Sequence, residues 1–175
     1  MEKKGISQLD VRIVISATIC VLTATVLNMF DLKFTYGEGS LEIIQKMTAA
    51  IACLLCCQDD TKISWKSGIN RMIITAIGGV IAIVVTLLDA LFQNQIVFVF
   101  MIAIGLLLTL LFCKMAGVPY INARIGGVTF ILVACTMAGN ARILYAIFRL
   151  VSTLYGVLIT MLVTWVFQKV CKNNE

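Results

Sequence analysis

Two arginines stand at matched places in the chain. Arg71 opens the run R-M-I-I-T-A-I-G and Arg149 opens R-L-V-S-T-L-Y-G, so R-x-x-x-T-x-x-G occurs twice, 78 residues apart. The same offset carries Lys46 onto Arg124 and Cys57 onto Cys135 without a gap. On a helix, positions i, i+4 and i+7 share a face, so each pattern aligns a cation, a hydroxyl and a glycine. That chemistry suits an oxyanion: a guanidinium grips a carboxylate through two parallel hydrogen bonds, which an ammonium does not reproduce. Arg71, Thr75, Arg149 and Thr153 are therefore candidate substrate-binding residues, with Lys46 and Arg124 as further cations ahead of helices. Gly78, Gly79 and Gly156 are candidate helix-packing positions, because small residues let neighbouring helices approach. The competing expectation is that the arginines reach lipid headgroups as anchors, while threonine and glycine only pack.

The elements that carry these residues are membrane helices. Of 175 residues, 61% are hydrophobic and 13% charged, where soluble domains carry about 25% charged residues. So little polar side chain cannot cover a soluble fold of this size. Composition thus excludes a soluble enzyme, a disordered chain and a nucleic-acid-binding module, since the net charge of +5 is spread along the chain rather than gathered in a stripe. No histidine exists to complete a zinc site around Cys53 and Cys56, and these thiols lie in an apolar run where cysteine acts as a small hydrophobe. No phosphate-binding G-x-x-x-x-G-K-[ST] loop is present, and no nucleophile–base pair stands out. The expectation is a protein that is not an enzyme and carries no cofactor or metal.

Apolar runs predict six spans. The first is Val11–Phe30, an uncleaved helix long enough to cross the bilayer. After a polar loop from Asp31 to Ser40, the second is Leu41–Cys57, with Glu42 and Lys46 spaced for a helical ion pair. The third is Ile69–Phe92, ending near Asp89, read as a helix-end group near water. A turn at Gln93-Asn94-Gln95 leads to the fourth, Ile96–Cys113. Beyond the only proline, Pro119, the fifth runs from Ile121 to Ala138 and stops at Gly139-Asn140. The sixth is Leu150–Val170, preceded by a half-buried stretch from Ile143. Asn28, Gln45 and Gln58, polar groups within or beside spans, are suited to line a cavity or bond between helices. Trp65 and Trp165 fit interfacial belts.

The expected fold is thus an all-α polytopic helix bundle in a single membrane domain. It is built as two inverted three-helix repeats, 11–92 and 96–170, an arrangement found in transporters. With the N-terminus inside, the inner segments hold ten Lys and Arg (Lys3, Lys4, Arg12, Lys62, Lys66, Arg71, Lys114, Arg124, Lys169, Lys172) and the outer four (Lys33, Lys46, Arg142, Arg149). That count places both termini in the cytoplasm.

The stretch MTAAIACLLCCQDDTKISWKSGINRMIITAIGG resembles the repeat of the FUSC-like proteins, the fusaric acid resistance and aromatic acid exporter group. There an apolar helix ends in glutamine, a short polar loop with a serine follows, and a helix opens on the arginine–threonine–glycine pattern. Gln58, Ser67, Arg71, Thr75, Gly78 and Gly79 sit where that pattern expects them. YAIFRLVSTLYGVLITMLV is similar to the end of the six-span unit. Ile74 and Ser152 depart from the pattern, standing where the family often has glycine. The resemblance implies efflux of small organic anions, such as aromatic carboxylates, across a bacterial cytoplasmic membrane. The rival readings are a non-transporting scaffold or accessory subunit of a larger membrane or soluble partner, and an oligomeric pore. The expected partners are the lipid bilayer and a second copy of the chain, most simply a dimer, with no nucleic acid.

Overall fold

A computed structural model of the chain describes residues 7–30, 33–36, 39–58, 60–92, 94–136 and 141–172. Lys3, Lys4, Gln93 and the Gly139-Asn140 stop lie outside the described residues. Six helices carry the fold: α1 (Gln8–Met29), α2 (Lys46–Cys56), α3 (Thr61–Phe92), α4 (Gln95–Met115), α5 (Tyr120–Thr136) and α6 (Ala141–Lys172). The polar connection between α1 and α2 holds two short paired strands, β1 (Lys33–Tyr36) and β2 (Gly39–Glu42). The regular structure of the described residues is otherwise all-α.

Among the described residues, four helices are long and apolar enough to cross a membrane: α1, α3, α4 and residues 143–169 of α6. The other two are short. α2 has 11 residues and rises only about 16 Å, and α5 has 17 residues and rises about 25 Å. The helix expected as the second span begins five residues later than its hydropathy suggests, at Lys46 rather than Leu41, and is too short to cross as a helix. Conversely, α3 starts eight residues ahead of the apolar run, because the more polar Thr61–Gly68 continues the same helix.

Local chemistry fixes the helix ends. Ser7 and Asp10 form a capping box at α1, Asp10 Oδ2 accepting from Ser7 N at 2.9 Å and Ser7 Oγ from Leu9 N at 3.2 Å. Asn94 caps α4 by accepting from Ile96 N at 3.1 Å. Gly117 closes α4 with φ +74°, a left-handed conformation that glycine adopts without strain. Pro119 follows and its carbonyl accepts from Asn122 N and Ala123 N, starting α5.

The chain divides into two compact units that each draw on both halves of the sequence. One comprises α1, α2, α3 as far as Ile69, and α6 from Ser152. Its core is Cys20, Ala49 and Cys53, packed by Tyr155 and Ile159. Every fourth residue of α1 is buried: Arg12, Ser16, Cys20, Ala24 and Asn28. In the bilayer the polarity is inverted from a soluble helix, with apolar side chains outward and small or polar ones inward. The exposed face of α1 accordingly shows Val14, Leu22 and Val26.

The other unit comprises α3 from Asn70, α4, α5, and α6 as far as Val151. Ala82, Val85, Phe130, Val133, Ala134 and Ala146 form one core cluster, and Ile74, Cys113, Val118 and Ala123 another. The ring of Phe130 fills the space left by the missing side chain of Gly105.

Close glycine contacts recur inside the two units, and one pair of partners matches at the sequence offset. A Cβ on Gly78 would meet the Gly126 carbonyl at 2.7 Å and the Phe130 backbone nitrogen at 3.3 Å. A Cβ on Gly156 would collide with the Ala49 carbonyl and come within 2.9 Å of Ala52 Cβ. Ala52 plus 78 is Phe130, and Gly78 plus 78 is Gly156. Both glycines are therefore needed for close helix contact, as their spacing predicts. Gly79 differs: a Cβ there would meet only Ala146 Cβ, at an ordinary 3.8 Å.

Candidate functional site

The two arginines of the repeat are buried inside the protein. Arg71 is 5% exposed and Arg149 6%, whereas headgroup anchoring needs a side chain that reaches the lipid surface. Both lie in the unit built from α4 and α5. Burying a cation at membrane depth is expensive and marks such residues as functional candidates. Arg149 Nη1 donates to Tyr145 Oη at 3.4 Å, one turn back on α6. Thr75 is also buried, but its hydroxyl donates to the Arg71 carbonyl at 2.9 Å and so is committed to its own helix. Thr75 lines a small cleft of about 120 Å³ with Gly79, Val80, Ile83, Ala146 and Leu150.

The remaining three candidates are placed elsewhere. Thr153 is buried in the unit that holds α1 and α2. Lys46 Nζ lies 3.4 Å from Glu42 Oε1, so the ion pair expected from their spacing forms, although Glu42 ends a strand and only Lys46 is helical. Arg124 is exposed and stacks over the Tyr120 ring, 4.9 Å from its centroid. Together they give an aromatic-plus-cation pair at the start of α5, a pattern that suits the membrane interface. Trp165 is matched in kind, with Lys169 Nζ 5.1 Å from its ring centroid.

A second polar cluster, at the start of α2, surrounds two of the amides read from the sequence. The backbone from Ile43 to Gln45 is not helical. It is held from two sides. Asn28 Nδ2, near the end of α1, donates to the Ile44 carbonyl at 3.2 Å. Ser152 Oγ, on α6, accepts from Gln45 N at 2.7 Å and donates to the Ile43 carbonyl at 3.4 Å. Thr48 Oγ1 donates to Gln45 Oε1 at 2.9 Å. Gln45 is the N-cap of α2, yet its side chain makes no capping bond to the helix. Two buried atoms in this cluster have no hydrogen-bond partner among the described residues: Gln45 Nε2, a donor, and Asn28 Oδ1, an acceptor. Asn28, Gln45, Thr48 and Ser152 all belong to one compact unit. Thr48 carries no signal in the sequence, whereas Ser152 is one of the two departures from the family pattern, and its counterpart in the repeat, Ile74, is apolar.

The polar lining continues along α6. Thr160 and Thr164, fully buried, donate to the Gly156 and Thr160 carbonyls at 2.9 and 2.8 Å. Cys53 Sγ donates to the Gly156 carbonyl at 3.2 Å. Tyr155 Oη donates to Thr23 Oγ1 at 2.5 Å. At the far end, Gln168 Nε2 donates to Asp60 Oδ1 at 3.2 Å, and Thr61 Oγ1 bonds Gln168 Oε1. The turn before α3 is closed by Ser64 Oγ, which accepts from Gln58 N at 3.0 Å. Gln58 lies just past the Cys57 cap of α2, so the helix stops short of the glutamine where the sequence pattern ends it.

A helical chain with four bilayer-length helices, an inward-facing polar lining and buried arginines defines a polytopic membrane protein. The chain belongs to the fusaric acid resistance protein-like family, whose profile matches residues 19–163. Membership implies a transporter-like role in the membrane. No curated protein and no solved structure matches the chain significantly.

Proposed function

We propose that the chain exports small organic anions of the aromatic carboxylate kind across a bacterial cytoplasmic membrane, and that Arg71 and Arg149 contact the carboxylate. The observation that carries this reading is their burial, at 5% and 6% exposure, on matched positions of the repeat. Arginine kept inside a membrane protein is suited to pairing with an anion that must shed its water. The chain would act with both termini in the cytoplasm, as two inverted repeats and as a homodimer, the repeat supplying alternating access. Thr75, Thr153, Lys46 and Arg124 would serve along the path rather than at the anion itself.

The test is retention of a labelled aromatic acid in cells making the parent, Arg71→Lys or Arg149→Lys at equal membrane abundance. The expected result is insertion with impaired export, since a lysine cannot bind bidentately. Export equal to the parent in both variants overturns the site. A parent that exports nothing turns the reading to the accessory-subunit alternative.

A further inference from the structure

Gly79 is a glycine that packing does not require. A Cβ there would meet only Ala146 Cβ, at an ordinary 3.8 Å, whereas Gly78 and Gly156 stand against neighbouring backbone. Glycine inside a helix is destabilising relative to alanine, so the missing methyl at position 79 needs another reason. What it leaves open is the cleft of about 120 Å³ between α3 and α6. The floor of that cleft is formed by Thr75, Gly79 and Ala146, all buried, and its rim by Val80 and Ile147, both exposed.

The lining decides what the cleft accepts. Thr75 Oγ1 donates to the Arg71 carbonyl, and every other lining side chain is apolar. The guest is therefore an apolar group. An apolar cavity of about 150 Å³ holds one benzene ring, so this cleft suits a single ring and not a fused pair. Gly79 lies against Ala146, and Thr75 and Leu150 line the same cleft four residues before and after them. The two helices thus run antiparallel along it. Arg71, one turn before Thr75, and Arg149, next to Leu150, stand at the same end of the cleft. Neither guanidinium lines it, but a carboxylate carried on a ring held there projects toward that end. All of these residues belong to one compact unit.

We propose, resting on the export reading above, that this cleft seats the aromatic ring of the exported acid and that Gly79 and Ala146 set its size limit at one ring. The arginines hold the charged end of the molecule and the cleft holds the apolar end. Gly79 is then a specificity-determining residue: its missing side chain is space kept for the ring.

The test uses the full chain in lipid nanodiscs at neutral pH, with benzoate and naphthoate as probes and empty nanodiscs as the blank. Binding is read by saturation-transfer NMR. Benzoate is expected to bind saturably and naphthoate, with its fused second ring, at least about tenfold more weakly, the usual cost of a group that a fitted pocket cannot hold. Gly79→Ala should weaken benzoate by about tenfold while the thermal unfolding midpoint holds or rises, a combination that a purely structural glycine does not give. Leu150→Ala, which widens the cleft, should let naphthoate bind as well as benzoate. Arg71→Lys should weaken both acids alike and keep their ratio. Gel filtration reports folding, and if Leu150→Ala is misfolded, Gly79→Ala decides. Loss of benzoate in Gly79→Ala with none in Arg71→Lys keeps the cleft and removes the arginines from the site. Loss in Arg71→Lys with unchanged binding in Gly79→Ala keeps the arginines and overturns the proposal, the cleft then holding only a lipid chain. No saturable benzoate binding, or naphthoate as tight as benzoate on the parent, overturns it as well.

Discussion

Gly78 packs so closely on Gly126 that a Cβ at position 78 would lie 2.7 Å from the Gly126 carbonyl oxygen. Backbone cannot move aside as a flexible side chain can. Gly78→Ala should therefore destabilise the protein by about 1–3 kcal/mol, the usual range for overpacking. Gly156→Ala should do the same, because its Cβ collides with the Ala49 carbonyl. Gly79→Ala is the control. Its added methyl finds ordinary contact with Ala146, so stability should hold or improve by up to about 1 kcal/mol from helix propensity. Thermal unfolding midpoints of the three variants in one detergent check the ranking. Equal losses at 78 and 79 would contradict it.

Ser152→Ile copies into one half of the chain the residue that the other half carries at position 74. It removes the acceptor for the Gln45 N–H and should cost about 1–3 kcal/mol, the penalty for a buried donor left unpaired. Ser152→Thr keeps the hydroxyl and should lose less. Denaturation of the two variants side by side is the measurement. A smaller loss for isoleucine than for threonine would show that the hydroxyl contributes nothing.

The Glu42–Lys46 pair should contribute little to stability. Both side chains are more than a third exposed, at 36% and 38%, where water and salt screen the attraction. Replacing either partner with glutamine should shift stability by less than about 1 kcal/mol. A larger loss in Lys46→Gln alone would mean that the ammonium has a partner other than Glu42.

Orientation follows from the excess of Lys and Arg on one side. Single cysteines at exposed Lys62 and Asn94, in a background with Cys135 and Cys171 replaced by serine, should be labelled from opposite sides of the membrane. Lys62→Cys should react from the cytoplasm and Asn94→Cys from outside. Reaction of Lys62→Cys with an impermeant reagent added outside would reverse the topology.

Much of the helical framework was legible because membrane helices announce themselves by apolar length. The limits of that signal are visible at α2. Leu41, Ile43 and Ile44 extend the apolar run, so hydropathy reads them as helix. The backbone there is instead held non-helical by Asn28 and Ser152, 16 and 107 residues from their hydrogen-bond partners in sequence. No local pattern reports contacts of that reach. The head of α3 failed in the opposite direction, because Lys62, Ser64 and Lys66 lower its hydropathy without breaking the helix. The repeat was a better guide. The arginines and glycines of R-x-x-x-T-x-x-G lie on helices and are buried or closely packed, although the sequence left open whether the arginines turn inward or to headgroups. It did not distinguish Gly79 from Gly78, a difference set by which neighbour each one faces. Asn28 and Gln45 were visible as polar residues in apolar surroundings, but their unsatisfied atoms emerge only once their partners are placed.

Among the described cysteines, Cys20, Cys53, Cys56, Cys57 and Cys113 are buried and Cys135 alone is exposed. The folded chain therefore carries its own unfolding gauge. With Cys171 replaced by serine, a thiol reagent meets Cys135 while the helices stay packed, and the buried five become available only as the helices around them open. Mass spectrometry of the labelled protein would count opened molecules directly, in native membrane and without an engineered probe. Loss of protection at Cys20 and Cys53 would register the opening of one compact unit, and at Cys113 that of the other.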